Sequence, residues 1–204
     1  MDAREIFLAR HTCVHSAMMN PEGGWKEEDT IWAGLAEHEL RRRPTPDHNS
    51  IVWLVWHMAR CEDVAVNTAL RATEEVLDRD AWLAQLGITS RHIGTGAPSE
   101  EVTSISQTIN LEALRAYRAA VGRETRRWAA TLDFDTLDTA VSAADARRAA
   151  AQGDFGEHAA WVEEHWACNE WRRIDFLFWL AIEHNWFHIG EIGVIRGLLH
   201  HAGF

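Results

Sequence analysis

The chain has 204 residues, a length that suits one domain and can bury a core without disulfide bonds. Its net charge of −11, from 31 acidic and 20 basic residues, argues against nucleic acid and anionic membranes as partners, because their binders usually carry a basic surface. Three cysteines without paired spacing, no apolar leader and no apolar run of membrane-spanning length predict a soluble, cytoplasmic protein.

Helical patterns alternate with irregular connections along the chain, and no stretch has the alternation of a strand. Helices are predicted over residues 2–18, 27–40, 51–75, 99–131 with a break near Asn110, and 170–199. Asn49 or Ser50 caps the third of these, and residues 87–98 form a loop rich in glycine and proline. Residues 133–168 hold short helical segments of undecided order. The four long helices predict an all-α fold, a four-helix bundle with extra short helices, as one domain over residues 1–204.

The last predicted helix carries histidines in its apolar seam. From Ile174, every third or fourth position gives Leu177, Ala181, His184, His188, Glu191, Ile195 and Leu198. Burying this much polarity costs free energy unless the groups are paired or bind an ion. His184 and His188 lie one turn apart on one face, so both imidazoles can bind the same ion. Glu191 is a candidate fourth ligand, an acceptor that orients a histidine, or a catalytic proton-transfer group.

A facing ligand is expected from the helix predicted over residues 51–75. One stripe of that helix contains Ser50, Leu54, His57, Cys61 and Val64. His57 is its only histidine and lies in its most apolar stretch, so His57, His184 and His188 predict a divalent-metal site. The alternative is that these are hydrogen-bonded core histidines. Cys61 is a candidate ligand or reactive thiol, although a plain buried cysteine is the simpler interpretation.

Other histidines are weaker candidates. His11 and His15 are also four residues apart, but they lie less clearly in an apolar stripe. Surface or capping roles are expected for His38, His48, His92, His158, His165, His200 and His201. The zincin motif is absent because Asn185 follows His184, and no histidine has the glutamate three residues earlier that a di-iron bundle requires.

Tryptophan is unusually frequent, with eleven in the chain. Its large apolar ring and its N–H group suit a well-packed core or the wall of a pocket. Trp53, Trp56 and Trp186 lie beside the three histidines in sequence, so they are candidate pocket walls, with core packing as the simpler interpretation.

Two segments resemble the second and final helices of the DinB-like metalloprotein superfamily. The first runs from Asn49 to Arg60 with Glu62 and Asp63 following, and the second covers residues 184–192 and 195–199. The order and separation of both segments match as well, although residues 133–168 make a longer insert than is usual. The resemblance implies a bundle with up-down-down-up connectivity, and one zinc or nickel ion held by His57, His184 and His188 with water completing the shell.

The resemblance also implies a small-molecule substrate and a homodimer. Some relatives are thiol-dependent S-transferases or isomerases that use mycothiol, bacillithiol or glutathione. Two functions therefore stay open. A metal-dependent enzyme needs an open coordination position and a partly apolar pocket beside it. A non-catalytic metal- or ligand-binding bundle related to stress would instead close the site, with Glu191 as a fourth ligand. Imidazole suits both zinc and nickel, so the choice of metal is open.

Overall fold

The computed structural model describes residues 2–167 and 171–199. Cys168, His200, His201 and the predicted first residue of the last helix, at position 170, lie outside the described residues. The α-helices are α1 (Ala3–Cys13), α2 (Glu27–Trp32), α3 (Glu37–Arg41), α4 (Ile51–Asp63), α5 (Trp82–Leu86), α6 (Ser99–Thr108), α7 (Leu111–Thr131), α8 (Ala143–Ala151), α9 (Trp161–Ala167), α10 (Arg173–Phe178) and α11 (His184–Leu198).

Two π-helical segments and two 3₁₀ turns complete the backbone. The π-helical segment Val64–Leu70 continues α4, and Trp179–Glu183 joins α10 to α11. The 3₁₀ turns are Phe134–Leu137 and Glu157–Ala159. In the two described ranges the extended backbone amounts to one isolated bridge between Ala140 and Arg172, and no strand forms. The all-α prediction is confirmed. No helix within these ranges is long and apolar enough to cross a membrane.

The predicted boundaries differ from the structure where local backbone geometry ends a helix. The helix predicted over 27–40 is two short helices, because Ala33, with a ψ of 128°, and Gly34, with a φ of +72°, both leave α-helical geometry. The first helix ends at Cys13 rather than near residue 18. The break predicted near Asn110 is present, and the Asn110 side chain caps α7 by accepting from the backbone N–H of Ala113.

The central helix is buried on every side, not along one stripe. Ser50 caps it, accepting a hydrogen bond from the backbone N–H of Trp53 at 3.0 Å. Every residue from 51 to 70 is buried, because α3, α6, α7 and α11 all pack against α4. Its polar side chains are paired inside the core: Arg60, for example, donates to Glu75 at 2.7 Å. Because α4 is enclosed on all sides, the stripe of five residues predicted from the sequence is only part of the surface that α4 buries.

The buried face of the last helix is shifted in part beyond the π-helical segment that precedes α11. A π turn contains more residues than an α turn, so side chains beyond it point in directions different from those that regular α-helical spacing predicts. The predicted seam holds at Leu177, Ala181, His188 and Ile195, which are buried, but it is wrong at Leu198, which is 47% exposed. Beyond the π segment the buried positions of α11 are Asn185, His188, Ile189, Ile192 and Ile195.

The insert between α7 and α10 packs against the second half of the central helix. Its helix α8 contacts both α9 and the π-helical segment Val64–Leu70. Arg148 of α8 donates to the backbone carbonyls of Thr68 and Ala69, at 3.2 and 2.9 Å. These contacts bring α9 to the same side of the molecule as the histidine face of α11.

Candidate metal centre

The three histidines predicted as ligands lie together in the structure. The ring centroid of His57, on α4, is 5.0 Å from that of His184 and 4.8 Å from that of His188. The centroids of His184 and His188 are 4.5 Å apart on successive turns of α11. His57 and His188 are buried and His184 is partly buried. Residues more than 120 positions apart in sequence thus form one compact imidazole cluster.

Hydrogen bonds to the outer nitrogens orient two of these rings. The Nδ1 of His57 donates to the backbone carbonyl of Ile93, and the Nδ1 of His188 donates to Glu191 Oε2 at 2.9 Å. A carbonyl and an ionised carboxylate can only accept, so each ring has a proton on Nδ1, and the nitrogen left to bind an ion is Nε2. The Nε2 of His188 lies 3.1 Å from that of His184.

This spacing suits a shared ion. With Zn–N bonds of 2.0–2.1 Å, two nitrogens of a tetrahedral site lie about 3.3 Å apart. The Nδ1 atom of His184 is buried and has no hydrogen-bond partner among residues 2–167 and 171–199. Three imidazoles, two of them oriented by outer acceptors, are a donor set that zinc, nickel and related divalent ions accept. The residues therefore fit a divalent transition metal.

Burial keeps the imidazoles neutral, which is the form that binds a metal. Burial, with a smaller contribution from the nearby His188, lowers the pKa of His57 from 6.5 to about 3. Burial, followed by the charges of His57 and His188, holds the pKa of His184 well below 6.5. Both rings are therefore unprotonated at neutral pH, and no proton has to leave them before an ion binds.

Glu191 lies on the outer side of His188. Its Oε2 accepts from His188 and its Oε1 accepts from the amide of Asn49 at 3.0 Å. Burial acts to raise the pKa of Glu191, but the hydrogen bonds from His188 and Asn49 leave it below its ordinary value. The carboxylate therefore faces the Nδ1 atom of His188, away from the nitrogens that converge.

Cys61 contacts the cluster from the next turn of α4. Its Sγ lies 3.7 Å from both ring nitrogens of His57, and the side chain is 2% exposed. His57, Cys61 and His184 each have one potential ligand atom, and these three atoms lie within 4.8 Å of one another. Burial raises the pKa of the Cys61 thiol to about 12, so the group is a neutral thiol unless a cation is beside it.

The loop that holds His57 is itself held by the insert. The backbone N–H of Ile93 donates to the carbonyl of Asp154 at 2.7 Å, while the Ile93 carbonyl accepts from His57. Gly94 follows with a φ of +85°, and a Cβ there would lie 2.5 Å from the Trp56 ring and 3.0 Å from the Trp53 ring. Only glycine suits this backbone conformation and this close approach.

A cleft of about 350 Å³ reaches the histidine cluster. Its walls come from α9, the π-helical segment before α11 and α11 itself, and the aromatic and imidazole side chains among them are Trp161, His165, Trp166, Trp179 and Phe187. The partly apolar pocket expected beside the metal is therefore present. A larger, open depression of about 520 Å³ lies around Phe134 and Trp171, but no histidine or cysteine is among its described lining residues.

The tryptophans predicted as pocket walls lie elsewhere. Trp53 and Trp56 are buried in the core, and the Trp53 ring stacks on His57 with centroids 5.0 Å apart. Trp186 is 37% exposed and does not line the cleft. The walls were missed because they come largely from the insert, where nothing in the sequence spacing relates Trp161 or His165 to His57.

The remaining described histidines differ in burial. His38, His158 and His165 are exposed as expected, and His48 and His92 are half-buried. His11 and His15, the weaker candidates for metal ligands, are both fully buried, and both contact Glu62 of α4 through Nε2, at 2.9 and 3.0 Å. Their burial was not visible in the sequence, because α1 packs on α7 and on the π-helical segment Trp179–Glu183, both distant in sequence.

Comparisons with known proteins agree with this fold. The model of the DinB superfamily matches residues 22–192. The structure is similar to that of a conserved protein from Enterococcus faecalis, with a TM-score of 0.66 and 17% sequence identity over 98% of each chain, a likeness that concerns the fold alone. No match was found among curated proteins. Because the family match covers most of its length, this chain belongs to the DinB superfamily, whose members are generally metal-binding.

Proposed function

From this membership and the geometry of the cluster, we propose that the protein binds one divalent transition metal, zinc or nickel, through His57, His184 and His188. The observation that carries the proposal is the convergence of three imidazoles, two buried and one partly buried, with ring centroids no more than 5.0 Å apart, at the end of a cleft. The packing of α4 against α7 and α11, and of α1 against α7, supports a four-helix bundle, whose up-down-down-up order stays a prediction.

We further propose that the site is catalytic and acts on a small molecule. Three protein ligands leave an open coordination position, and the cleft gives a small molecule access to it. A bound ion would supply Lewis-acid chemistry, lowering the pKa of a thiol or water at the open position. Glu191 orients His188 and is the carboxylate placed to exchange a proton with that ring.

The cleft favours a ligand with an apolar portion. Trp161, Trp166 and Phe187 present aromatic surface, and His165 adds a polar group on the wall. This composition suits a thiol-dependent S-transferase or isomerase, in which mycothiol, bacillithiol or glutathione meets an organic substrate. A homodimer and a cytoplasmic location stay predictions, as does the absence of nucleic-acid and membrane partners.

The alternative function is a non-catalytic bundle with a closed metal site, and the position of Cys61 favours it. A thiolate at Cys61 would add a fourth protein ligand to the three histidines, because a ligand atom of Cys61 lies within 4.8 Å of ligand atoms of His57 and His184. Four protein ligands are typical of a structural site, since no position is left for a substrate. Such a protein would bind its ion for stability or for sensing stress.

Elemental analysis of purified protein tests the metal site. We expect His57→Ala and His188→Ala each to lose one equivalent of zinc or nickel relative to the native chain. His38→Ala, which removes an exposed histidine, is the matched control and should lose none. Retention of the full metal content in both cluster variants would overturn the three-histidine site.

Two further variants separate the enzyme from the closed site. If the site is catalytic, Cys61→Ala keeps the metal, and Trp161→Ala keeps the metal but weakens binding of glutathione, mycothiol or bacillithiol by calorimetry. Trp25→Ala, on a tryptophan that is 65% exposed outside the cleft, is the control. Loss of the metal from Cys61→Ala, with no thiol binding by the native chain, would instead support the non-catalytic bundle.

A further inference from the structure

A second cluster of metal-ligand side chains lies between α1 and α4. His11 lies in the last turn of α1 and His15 just beyond its end at Cys13, and each directs Nε2 at a different oxygen of Glu62, at 2.9 and 3.0 Å. The relative exposure of all three side chains is 0%. Two imidazoles and one carboxylate thus share an enclosed space, separate from the cleft.

The outer nitrogens of both imidazoles are poorly satisfied. Among residues 2–167 and 171–199, the Nδ1 atoms of His11 and His15 and the Oε1 atom of Glu28 have no hydrogen-bond partner, although all three are buried. If both Nε2 atoms carry protons and donate to Glu62, two buried acceptors on the rings remain without a donor. Unpaired buried polar atoms of this kind are uncommon in a folded core.

A different protonation of His15 relieves part of this cost. The Nδ1 of His15 lies 3.9 Å from Glu28 Oε2, about 1 Å beyond hydrogen-bond distance. A proton on Nδ1 would give the Glu28 carboxylate a donor after a small movement, and would leave the Nε2 lone pair facing Glu62. A lone pair and a carboxylate repel each other unless a cation lies between them. A ligating histidine that donates its outer N–H to a carboxylate is the usual arrangement at metal sites.

We propose that His11, His15 and Glu62 form a second site for a divalent transition metal. Two imidazoles with one carboxylate are a ligand set used for zinc and for non-haem iron. Because the three ligands are fully buried, the ion is structural and ties α1 to the central helix. His11 and His15 also precede residue 22, where the family match begins, so the family match does not cover two of the three ligands.

The packing around the cluster holds the imidazoles in place. The Phe7 ring stacks on His11, with centroids 5.4 Å apart and 15° between the planes. On the other side Gly122 of α7 faces His15, and a Cβ there would lie 2.6 Å from the ring. The close approach of the α7 backbone leaves His15 little freedom to turn away from Glu62.

The test uses a full-length background variant, His184→Ala with His188→Ala, which removes two ligands of the cleft site and leaves the second cluster intact. Protein is produced in zinc-supplemented medium, and zinc per chain is measured by elemental analysis. We expect one equivalent in the background variant. Adding Glu62→Gln, which keeps the side-chain shape but removes the anionic ligand, or adding His15→Ala should remove that equivalent. Glu164→Gln and His38→Ala, at exposed positions, are the controls.

X-ray absorption spectroscopy of the zinc-loaded background variant tests the ligands without a change in the cluster, so it does not depend on whether Glu62→Gln folds. We expect the atoms that coordinate the zinc ion to be nitrogen and oxygen only. Sulfur in the shell would place the ion at Cys61 and overturn the proposal, as would a background variant that holds no zinc. The cleft site fails by a different result, a metal content in His188→Ala equal to that of the native chain, so the two proposals are tested independently.

Discussion

The indole ring of Trp53 lies parallel to the imidazole of His57, with 10° between the planes and 5.0 Å between the centroids. Both residues are on α4, four positions apart, so one helix supplies a proposed metal ligand and the aromatic surface that supports it. The Ile93 carbonyl holds the outer nitrogen of the same imidazole. His57 is therefore restrained on its face and at its edge before any ion binds, and such preorganisation strengthens a site.

Removing the stacked ring should loosen this restraint. Trp53→Ala is expected to cost about 3–5 kcal/mol of unfolding free energy, because it leaves a cavity in the core. It should also weaken zinc binding by about tenfold, the lower end of the effect of a lost supporting group. Trp53→Phe keeps an aromatic face and should restore most of the affinity. Chemical denaturation and zinc titration measure the two effects, with exposed Trp25→Ala as the control.

Glu191 should act on metal affinity through His188. Glu191→Ala removes the acceptor for the His188 N–H group and is expected to weaken zinc binding by about 10- to 100-fold. Glu191→Gln retains an oxygen that can accept from the ring, so this variant should lose less zinc affinity than Glu191→Ala. Competition with a chromophoric chelator measures both affinities. Exposed Glu164→Ala is the control, and equal affinities for Glu191→Ala and the native chain would contradict this role.

Gly94 offers a test of the loop that holds His57. Gly94→Ala should be destabilising for two reasons, the φ of +85° and a Cβ that would lie 2.5 Å from the Trp56 ring. Gly153→Ala is the matched control, because Gly153 has a φ of +81° but nothing lies within 4 Å of its added Cβ. We expect a loss of about 1 kcal/mol in the control and a larger loss in Gly94→Ala, with weaker zinc binding only in the latter. Equal losses would show that the close approach is unimportant.

The stability of the metal-free protein should fall as pH decreases below about 6.5. The pKa values of His57 and His15 are lowered to about 3 in the folded chain, chiefly by burial. Between pH 6.5 and 3 the unfolded chain therefore binds protons that the folded chain does not, so stability decreases as pH falls. Each histidine contributes on the order of 1 kcal/mol per pH unit in that window.

Urea unfolding with a chelator present, at pH 7, 6 and 5, measures this slope. His57→Gln removes one of the titrating groups and should make the dependence shallower, provided that the variant folds. His38→Gln, at an exposed position, should leave the slope unchanged. A free energy of unfolding that stays constant between pH 7 and pH 5 would contradict neutral, buried histidines.

The candidate site was predictable as far as local spacing reaches. His184 and His188 are four positions apart, so they lie on successive turns of one face of any regular α-helix. His57 was identifiable as the one histidine in the most apolar helix. The walls of the cleft were not predictable, because α9 reaches the site only through the packing of α8 on the segment after α4. The same limit applies to Glu62, whose contacts with His11 and His15 span more than 45 positions.

By itself the sequence determined the all-α class, the central apolar helix with His57, and the histidine pair of the last helix, because helical periodicity and capping depend on residues a few positions apart. Only the tertiary structure decided which faces are buried and which clusters form. Beyond the π segment Trp179–Glu183 the last helix buries Asn185, Ile189 and Ile192 besides the predicted His188 and Ile195. The complete enclosure of α4 placed Cys61 at one cluster and Glu62 at the other. Both outcomes depend on packing between distant segments, which local patterns do not record.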